Sequence, residues 1–223
     1  MQRVAAIILD MDGTMLDTEP LYKAAWQRAA ADLGCALDDA FYLRLVGRSI
    51  ADGENELTRR FGASFPLAEF RLRWPEVWRT RVEADGIPAK AGLFELLAWV
   101  DDRRMPIAVA TSSDRDYATL SLQRAGLAGR FATVVTGEEV ANGKPAPDIY
   151  LEAARRLGVD PSHAFAVEDS DAGTLAAHRA GMSVLLIPDL KAPSAEAAAA
   201  AYRVLGSLYE VRKLVETLEG LKT

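Results

Sequence analysis

A chain of 223 residues can hold one sizeable domain, or one domain with a smaller one inserted into it. Half of it is apolar and 26% is charged, which fits a globular protein with a substantial core; the net charge of −6 and the lack of any basic run disfavour nucleic acid as a partner. No apolar window is long enough to span a bilayer and no signal-peptide pattern is present; Cys35, the only cysteine, allows no internal disulfide, so a cytoplasmic protein in a reducing compartment is expected.

In chain order, the first element is the apolar run over residues 6–9, which reads as a buried strand and leads into Asp10-Met11-Asp12-Gly13-Thr14. Asp17-Thr18-Glu19-Pro20 reads as a helix start, with a small polar cap, an acid, and a proline in the first turn, where a missing N–H costs nothing. Leu21, Ala25, Ala29 and Leu33 then recur at i+4 as far as Gly34, a left-handed C-cap. Cys35 follows at the helix end with no histidine nearby, so packing is its expected role. Further helices are expected over residues 39–46, 50–61 and 66–83. The last carries Phe70, Trp74, Val77 and Trp78 as its apolar stripe, and Pro75 is predicted to kink or interrupt it. Residues 17–86 thus read as an all-helical insert.

From residue 87 the pattern changes. Strands near 107–110, 133–135, 164–167 and 184–187 alternate with helices over 92–102, 115–125, 147–157 and 172–180. Short apolar strands in such alternation predict an α/β fold, a parallel sheet covered on both faces. The first strand must join that sheet to satisfy its backbone. The tail holds an alanine run at 197–201, a short strand near 202–205 and a helix from 207. The expected division is a core of residues 1–16 and 87–223 with a helical cap over 17–86.

Residues i and i+2 of an extended backbone point to the same side, so Asp10 and Asp12 face one spot, and Gly13 lets the chain turn sharply beside it. Two carboxylates about 4 Å apart repel by about 4 kcal/mol at an effective dielectric of about 20. A fold has little reason to accept that cost unless a cation or a proton offsets it. Thr111-Ser112-Ser113 and Glu168-Asp169 also close predicted strands, and Lys144 lies in a loop before the helix expected at 147. Open parallel sheets bind ligands at the carboxyl ends of their strands, so all these groups belong on one edge. Each has a plainer alternative: an exposed acidic turn for Asp10 and Asp12, helix caps for Thr111, Ser112 and Glu168-Asp169, and a solvated loop for Lys144. Asp114 is an equally good cap for the helix after Thr111.

Asp10-Met11-Asp12-Gly13-Thr14, with Leu9 before it, resembles the signature of the haloacid dehalogenase superfamily of phosphotransferases. Thr111-Ser112-Ser113, Lys144 within Gly143-Lys144-Pro145-Ala146-Pro147-Asp148, and Glu168-Asp169-Ser170 resemble its further motifs in the same order, across residues 5 to 188. The helical insert resembles the small cap of the beta-phosphoglucomutase-like branch, and Asp17-Thr18-Glu19-Pro20 and Gly47-Arg48-Ser49 are similar to that branch's hinge and substrate loop. The resemblance implies a Rossmann-like three-layer core with an inserted cap that closes over a small phosphate ester and excludes bulk water.

The charge count then bears on the chemistry. Asp10, Asp12, Glu168, Asp169 and a bound phosphate carry more negative charge than Lys144 balances, so a divalent cation is expected; oxygen-only ligands favour magnesium. With no catalytic cysteine or Ser–His pair in view, a carboxylate is the expected nucleophile, forming an aspartyl-phosphate that water hydrolyses. His163 and His178 lie outside the motifs and receive no role. The resemblance implies the individual parts. Asp10 is the nucleophile and a metal ligand; Asp12 protonates the leaving oxygen and then activates water, while its backbone carbonyl binds metal. Thr111 and the Ser112 N–H hold the phosphoryl group, with Ser113 beside them; Lys144 neutralises charge; Asp169, with Glu168 as ligand or outer acceptor, holds the metal. Gly47, Arg48 and Ser49 are candidates for substrate contact, although Arg48 could equally be a solvated surface residue.

Two departures separate the chain from the mutases of that branch, which carry a histidine where this chain has Tyr22 and an arginine where it has Ile50. Both weaken the case for returning a phosphoryl group to the substrate. Ala91 and Asp171 also depart from the family pattern, without an evident functional meaning. The expected activity is therefore magnesium-dependent hydrolysis of a small sugar or polyol phosphate by a monomer, with a sugar-phosphate mutase as the alternative. A dehalogenase is disfavoured because Asp12 and the metal carboxylates have no use there. A non-catalytic module that kept the fold is the alternative of another class.

Overall fold

The computed structural model describes residues 4–46 and 50–220. By compactness the chain divides into two units, Met1–Asp17 with Pro88–Thr223, and Thr18–Ile87.

In the first unit, the apolar run becomes strand β1 (Ala6–Leu9), whose four residues are fully buried. Helix α5 (Leu93–Asp102) precedes β2 (Ile107–Ala110), and α6 (Arg115–Arg124) precedes the two-residue β3 (Val134–Val135). Then come α7 (Asp148–Leu157), β4 (Ala164–Glu168), α8 (Asp171–Arg179), β5 (Ser183–Leu186), α9 (Ala195–Ala200), β6 (Arg203–Val204) and α10 (Leu208–Gly220). The strands form one sheet in the order β3-β2-β1-β4-β5-β6, every pair parallel. From the central β1 the chain builds outward through β2 and β3, then crosses back to place β4 on the other side of β1. That reversal is the switch point at which such sheets bind ligands.

Because side chains alternate across a strand, Ala6, Ile8, Ala108, Ala110, Ala164, Ala166 and Val184 face one side, where Ile149, Tyr150 and Ala153 of α7 and Ala176 and Ala177 of α8 cover them. Ile7, Leu9, Val109, Val167 and Leu185 occupy the alternate positions and are equally buried. Both faces are covered, which is why the strands read as apolar runs rather than alternating ones. The Rossmann-like α/β core expected from the sequence is therefore present.

The second unit holds α1 (Glu19–Asp32), α2 (Asp39–Leu43), α3 (Ile50–Phe61) and α4 (Leu67–Asp85), and no strand among its described residues. Its core is aromatic: the Trp26 ring meets Phe70 edge to face at 5.2 Å, and Phe61 stacks on Phe65 at 5.5 Å. Such rings each bury a large apolar area and add about 0.5–1.5 kcal/mol per well-placed pair. Cys35 packs, half-buried, against this cluster, as expected.

Several local expectations are corrected. Pro75 does not break its helix; α4 runs through it. The proline removes one backbone bond, whereas Phe70, Trp78 and Val82 hold the helix by burial on either side of it. Thr18 does not cap α1 through its side chain, because its backbone is already helical there. The second helix ends at Leu43 rather than 46, and β3 is only two residues long. Short 3₁₀ turns at Gly137–Glu139 and Pro161–His163 were not foreseen; the first is closed by a reciprocal bond between Thr136 and Glu139. Asp171 accepts the Ser194 N–H at 3.0 Å, tying the segment after β5 to the start of α8. Among the described residues no helix is long and apolar enough to cross a membrane.

Candidate active site

The carboxyl ends of β1, β2 and β4 are neighbours in the sheet, and each delivers a polar group. Whether Thr111 and Glu168-Asp169 serve as helix caps has a direct answer. Asp114 caps α6 by accepting the Tyr117 N–H at 2.7 Å, and Ser170 caps α8 by accepting the Gly173 N–H at 3.1 Å. Thr111, Glu168 and Asp169 are left for other bonds.

Lys144 is not a solvated loop lysine. Its side chain is 6% exposed, and its ammonium donates to Asp10 Oδ1, to Glu168 Oε1 at 2.6 Å and to the Ala110 carbonyl at 3.1 Å. It also lies 5.1 Å from the centre of the Tyr150 ring, a cation–π contact. Arg179 of α8 braces the loop by donating to the Pro145 carbonyl at 2.8 Å.

Glu168 is the most saturated group present. Oε1 accepts from Lys144 and, at 2.7 Å, from the Tyr150 hydroxyl; Oε2 accepts from the Asp169 and Ser170 N–H groups at 3.1 Å and the Ser170 hydroxyl at 2.9 Å. Asp169 accepts the Thr14 hydroxyl at 3.0 Å. Oxygens of Asp10, Glu168 and Asp169 lie within 4.8 Å of one another.

Two glycines make this crowding possible. A Cβ on Gly13, which adopts φ +83°, would lie 2.4 Å from Asp169 Oδ2, and one on Gly173 would lie 1.7 Å from Glu168 Oε1. Gly173→Ala should therefore displace Glu168 and cost about 1–3 kcal/mol, seen as a lower denaturant midpoint at unchanged slope. A midpoint equal to the wild type's would show that Glu168 does not need that space.

Among the described residues, the electrostatics follow from one cation set against two buried carboxylates, Asp10 and Glu168, and the half-buried Asp169. Burial pushes Asp10 up to about 8 against the pull of Lys144, and the charges of Glu168 and Asp12 add to the rise. Burial also works against ionised Glu168, but the Lys144 ammonium, the Tyr150 hydroxyl and the Ser170 N–H outweigh it and hold that carboxyl below its usual range. Asp169 is pushed well up by burial and then by the charges of Glu168 and Asp10. Lys144 stays charged: burial disfavours the ammonium, but Asp10 and Glu168 raise its pKa further. Lys144 thus satisfies Glu168 and leaves Asp10 and Asp169 under-compensated. An oxygen-only set with unbalanced negative charge fits a hard divalent cation.

Asp12 sits beside this cluster in the chain. Its Oδ2 accepts the Ser113 hydroxyl at 3.1 Å and its Oδ1 the Tyr117 hydroxyl at 2.7 Å. Thr111 is buried, and its hydroxyl accepts the Ser113 N–H at 3.1 Å. Ser112 is exposed. His163 and His178 are exposed away from these contacts. Gly47, Arg48 and Ser49 lie outside the described residues. Tyr117 and Tyr150, which belong to none of the motifs, and the hydroxyls of Thr14 and Ser170 also bond to these carboxylates. A phenol in the first turn of a helix that directly follows a motif is the signal that marks the two tyrosines in retrospect.

Comparisons with known proteins bear on the family of the chain. The family model for haloacid dehalogenase-like hydrolases matches residues 7–187. The phosphorylated carbohydrates phosphatase of Thermotoga maritima is 36% identical over 79% of this chain and 82% of its own length. The fructose-1-phosphate phosphatase of Escherichia coli is 34% identical, over 82% of this chain and 96% of its own. A Thermotoga maritima crystal structure, provisionally named a beta-phosphoglucomutase, superposes with a TM-score of 0.83 at 31% identity, covering 96% of this chain and 99% of that one. The chain belongs to the haloacid dehalogenase-like hydrolases, as an enzyme that hydrolyses phosphoric monoesters.

Proposed function

We propose that this enzyme is a Mg2+-dependent phosphatase of small sugar or polyol phosphates that works through an aspartyl-phosphate on Asp10. The observation that carries the proposal is Asp10 itself, a carboxylate at the end of the central strand. Its Oδ1 accepts from Lys144, and Asp169 stands beside it in the same acidic cluster. Phosphorylated carbohydrates and fructose 1-phosphate, named for two relatives, support the substrate class.

Asp10, Asp169 and the Asp12 backbone carbonyl are the groups we assign to the metal. Glu168, whose oxygens are already filled by Lys144, Tyr150, Asp169 and Ser170 donors, is an outer acceptor. When bound, the metal would neutralise charge on the phosphoryl oxygens and on the nucleophile. Asp10 attacks phosphorus. Asp12 gives its proton to the departing ester oxygen and later takes one from the water that opens the aspartyl-phosphate, work that contributes about 10²–10⁴-fold. Lys144 offsets charge on Asp10 as it reacts, and Thr111 and the Ser112 N–H orient the phosphoryl group. Positioning and charge neutralisation are most of what phosphoryl transfer asks of a protein.

The solved neighbour provisionally named a mutase makes a mutase the second reading. Hydrolysis is favoured because the residue at the mutase histidine position is Tyr22, which stacks on Trp78 at 5.9 Å and 27° and meets Trp74 at 5.8 Å within the helical unit.

Phosphate release from a panel of sugar, polyol and nucleotide phosphates tests both readings. A chelator should abolish release and Mg2+ should restore it, with sugar phosphates the best substrates. Conversion of hexose 1-phosphate to the 6-phosphate without release would establish the mutase, and full activity in chelator would remove the metal from the mechanism.

A further inference from the structure

The contacts around Asp12 go further than this assignment of roles. Asp114 accepts the Tyr117 N–H at 2.7 Å, which fixes the first turn of α6 and with it the base of the tyrosine side chain. The phenol reaches back across the fold to Asp12 Oδ1 at 2.7 Å. Ser113, held through its N–H by Thr111, puts its hydroxyl 3.1 Å from Asp12 Oδ2. Both hydroxyls thus stand on one short, pinned segment, and each meets a different oxygen of the same carboxyl group. Tyrosine has only two side-chain torsions, so a phenol on a fixed backbone orients its partner at small entropic cost.

The two hydroxyls are chemically unequal. The shorter bond, from the more acidic phenol, makes Oδ1 the oxygen that accepts. The aliphatic hydroxyl of Ser113 can donate to Oδ2 when it is bare, or rotate and accept from it when it carries a proton.

We propose that Tyr117 is a positioning residue for the acid–base step, fixing Asp12 so that Oδ2 is the oxygen that carries the transferable proton. The inference rests on the reading of Asp12 as acid and base given above. During transfer the bond from Asp10 to phosphorus forms, the phosphorus–ester oxygen bond breaks, and the Oδ2 proton moves to the departing oxygen while Tyr117 holds Oδ1. No further reactant is needed. The family signature assigns nothing to this tyrosine.

A misdirected proton matters most when the leaving group is a poor one. An alkoxide leaves only if protonated, whereas 4-nitrophenolate leaves unaided. The experiment compares Tyr117→Phe with wild type on 4-nitrophenyl phosphate and on whichever of fructose 1-phosphate, glycerol 1-phosphate and glucose 6-phosphate the wild type turns over fastest. For Tyr117→Phe, kcat/KM on the alkyl ester should fall about tenfold, and on the aryl ester by less than about twofold. Ser113→Ala should show the same selective loss. The double variant should lose less than the product of the two, because both act through one carboxyl group. Asp12→Asn supplies the limiting case, with the largest selective loss.

A merely structural role for Tyr117 lowers both esters alike and overturns the inference, as does an unchanged alkyl rate. If Tyr117→Phe does not fold, Ser113→Ala decides by the same criterion. Selective loss in Asp12→Asn but in neither hydroxyl variant defeats the inference alone. No turnover of any ester by wild type defeats the phosphatase reading and the inference with it.

Discussion

Asp10→Asn is expected to lower the rate of phosphate release by at least about 10³-fold, as removal of a nucleophile does, while the protein stays folded. An amide has nearly the same shape as the carboxyl group and can still accept from Lys144 Nζ, so the surrounding bonds survive. The variant should in fact be the more stable protein at high pH when no cation is present. The sign follows from the shift of Asp10 from 3.8 to about 8 on folding. Between those values the folded protein keeps a proton that the unfolded chain has given up. The stability tied to Asp10 is fully present below the lower value and is lost as pH rises toward the upper one. Asparagine has no proton to lose.

In chelator, the wild type should therefore need less urea to unfold at pH 8 than at pH 6, and Asp10→Asn should show a smaller difference. A bound cation takes the proton's place, so adding Mg2+ should raise the wild-type midpoint more at pH 8 than at pH 6. Equal urea midpoints for wild type at the two pH values would show that Asp10 is not held protonated by its surroundings. Retained phosphate release in Asp10→Asn would remove it as nucleophile.

Lys144→Met should have the largest effect on folding. The change keeps an unbranched chain in place and deletes the only cation among the described residues that touches both Asp10 and Glu168. Breaking a buried pair on one side leaves uncompensated charge, which costs about 3–5 kcal/mol. Glu168, whose side chain is 0% exposed, suffers most. Its remaining donors are the Tyr150 and Ser170 hydroxyls and backbone N–H groups, and none of them carries charge. Urea unfolding in chelator measures the loss.

Mg2+ should recover more stability in Lys144→Met than in wild type, because it fills part of the same charge deficit. Phosphate release should stay about 10²–10³-fold down even at saturating Mg2+, since a charge aimed at the reacting oxygens is still missing. Combining Lys144→Met with Asp10→Asn should restore little stability below pH 8 relative to Lys144→Met alone, as Asp10 already keeps its proton there and Glu168 remains the orphaned charge. A Lys144→Met protein as stable as wild type in chelator would mean that the buried ion pairs contribute nothing to the fold.

How much of this was legible in the residues differs from element to element. The strands at 107–110 and 164–167 appear within one residue of their expected bounds, because a strand covered on both faces must be an uninterrupted apolar run. The helices end at glycines that adopt positive φ, at Gly34, Gly126, Gly158 and Gly181, and this requirement of the backbone shows in the letters. Pro75 is the opposite case, since the interruption it suggested does not occur. Its local cost is certain, but the burial of Phe70, Trp78 and Val82 that outweighs it comes from other helices.

Asp10 and Asp12 could be found from spacing alone, since a period of two puts both on one side of an extended chain whatever the rest of the fold does. Lys144, Tyr150, Tyr117 and Thr14 could not be placed that way. Each reaches a partner between 18 and 155 positions away, across the strand order β3-β2-β1-β4-β5-β6 and the registers that bring Leu9 opposite Val109 on one side and Val167 on the other. Local pattern determines which segments are strands, where helices begin and stop, and which carboxylates share a side, because those depend on residues a turn or two apart. Which hydroxyl meets which carboxylate, and how one ammonium divides itself between Asp10 and Glu168, depends on side chains brought together only when the sheet closes around β1. The tertiary structure alone decided those.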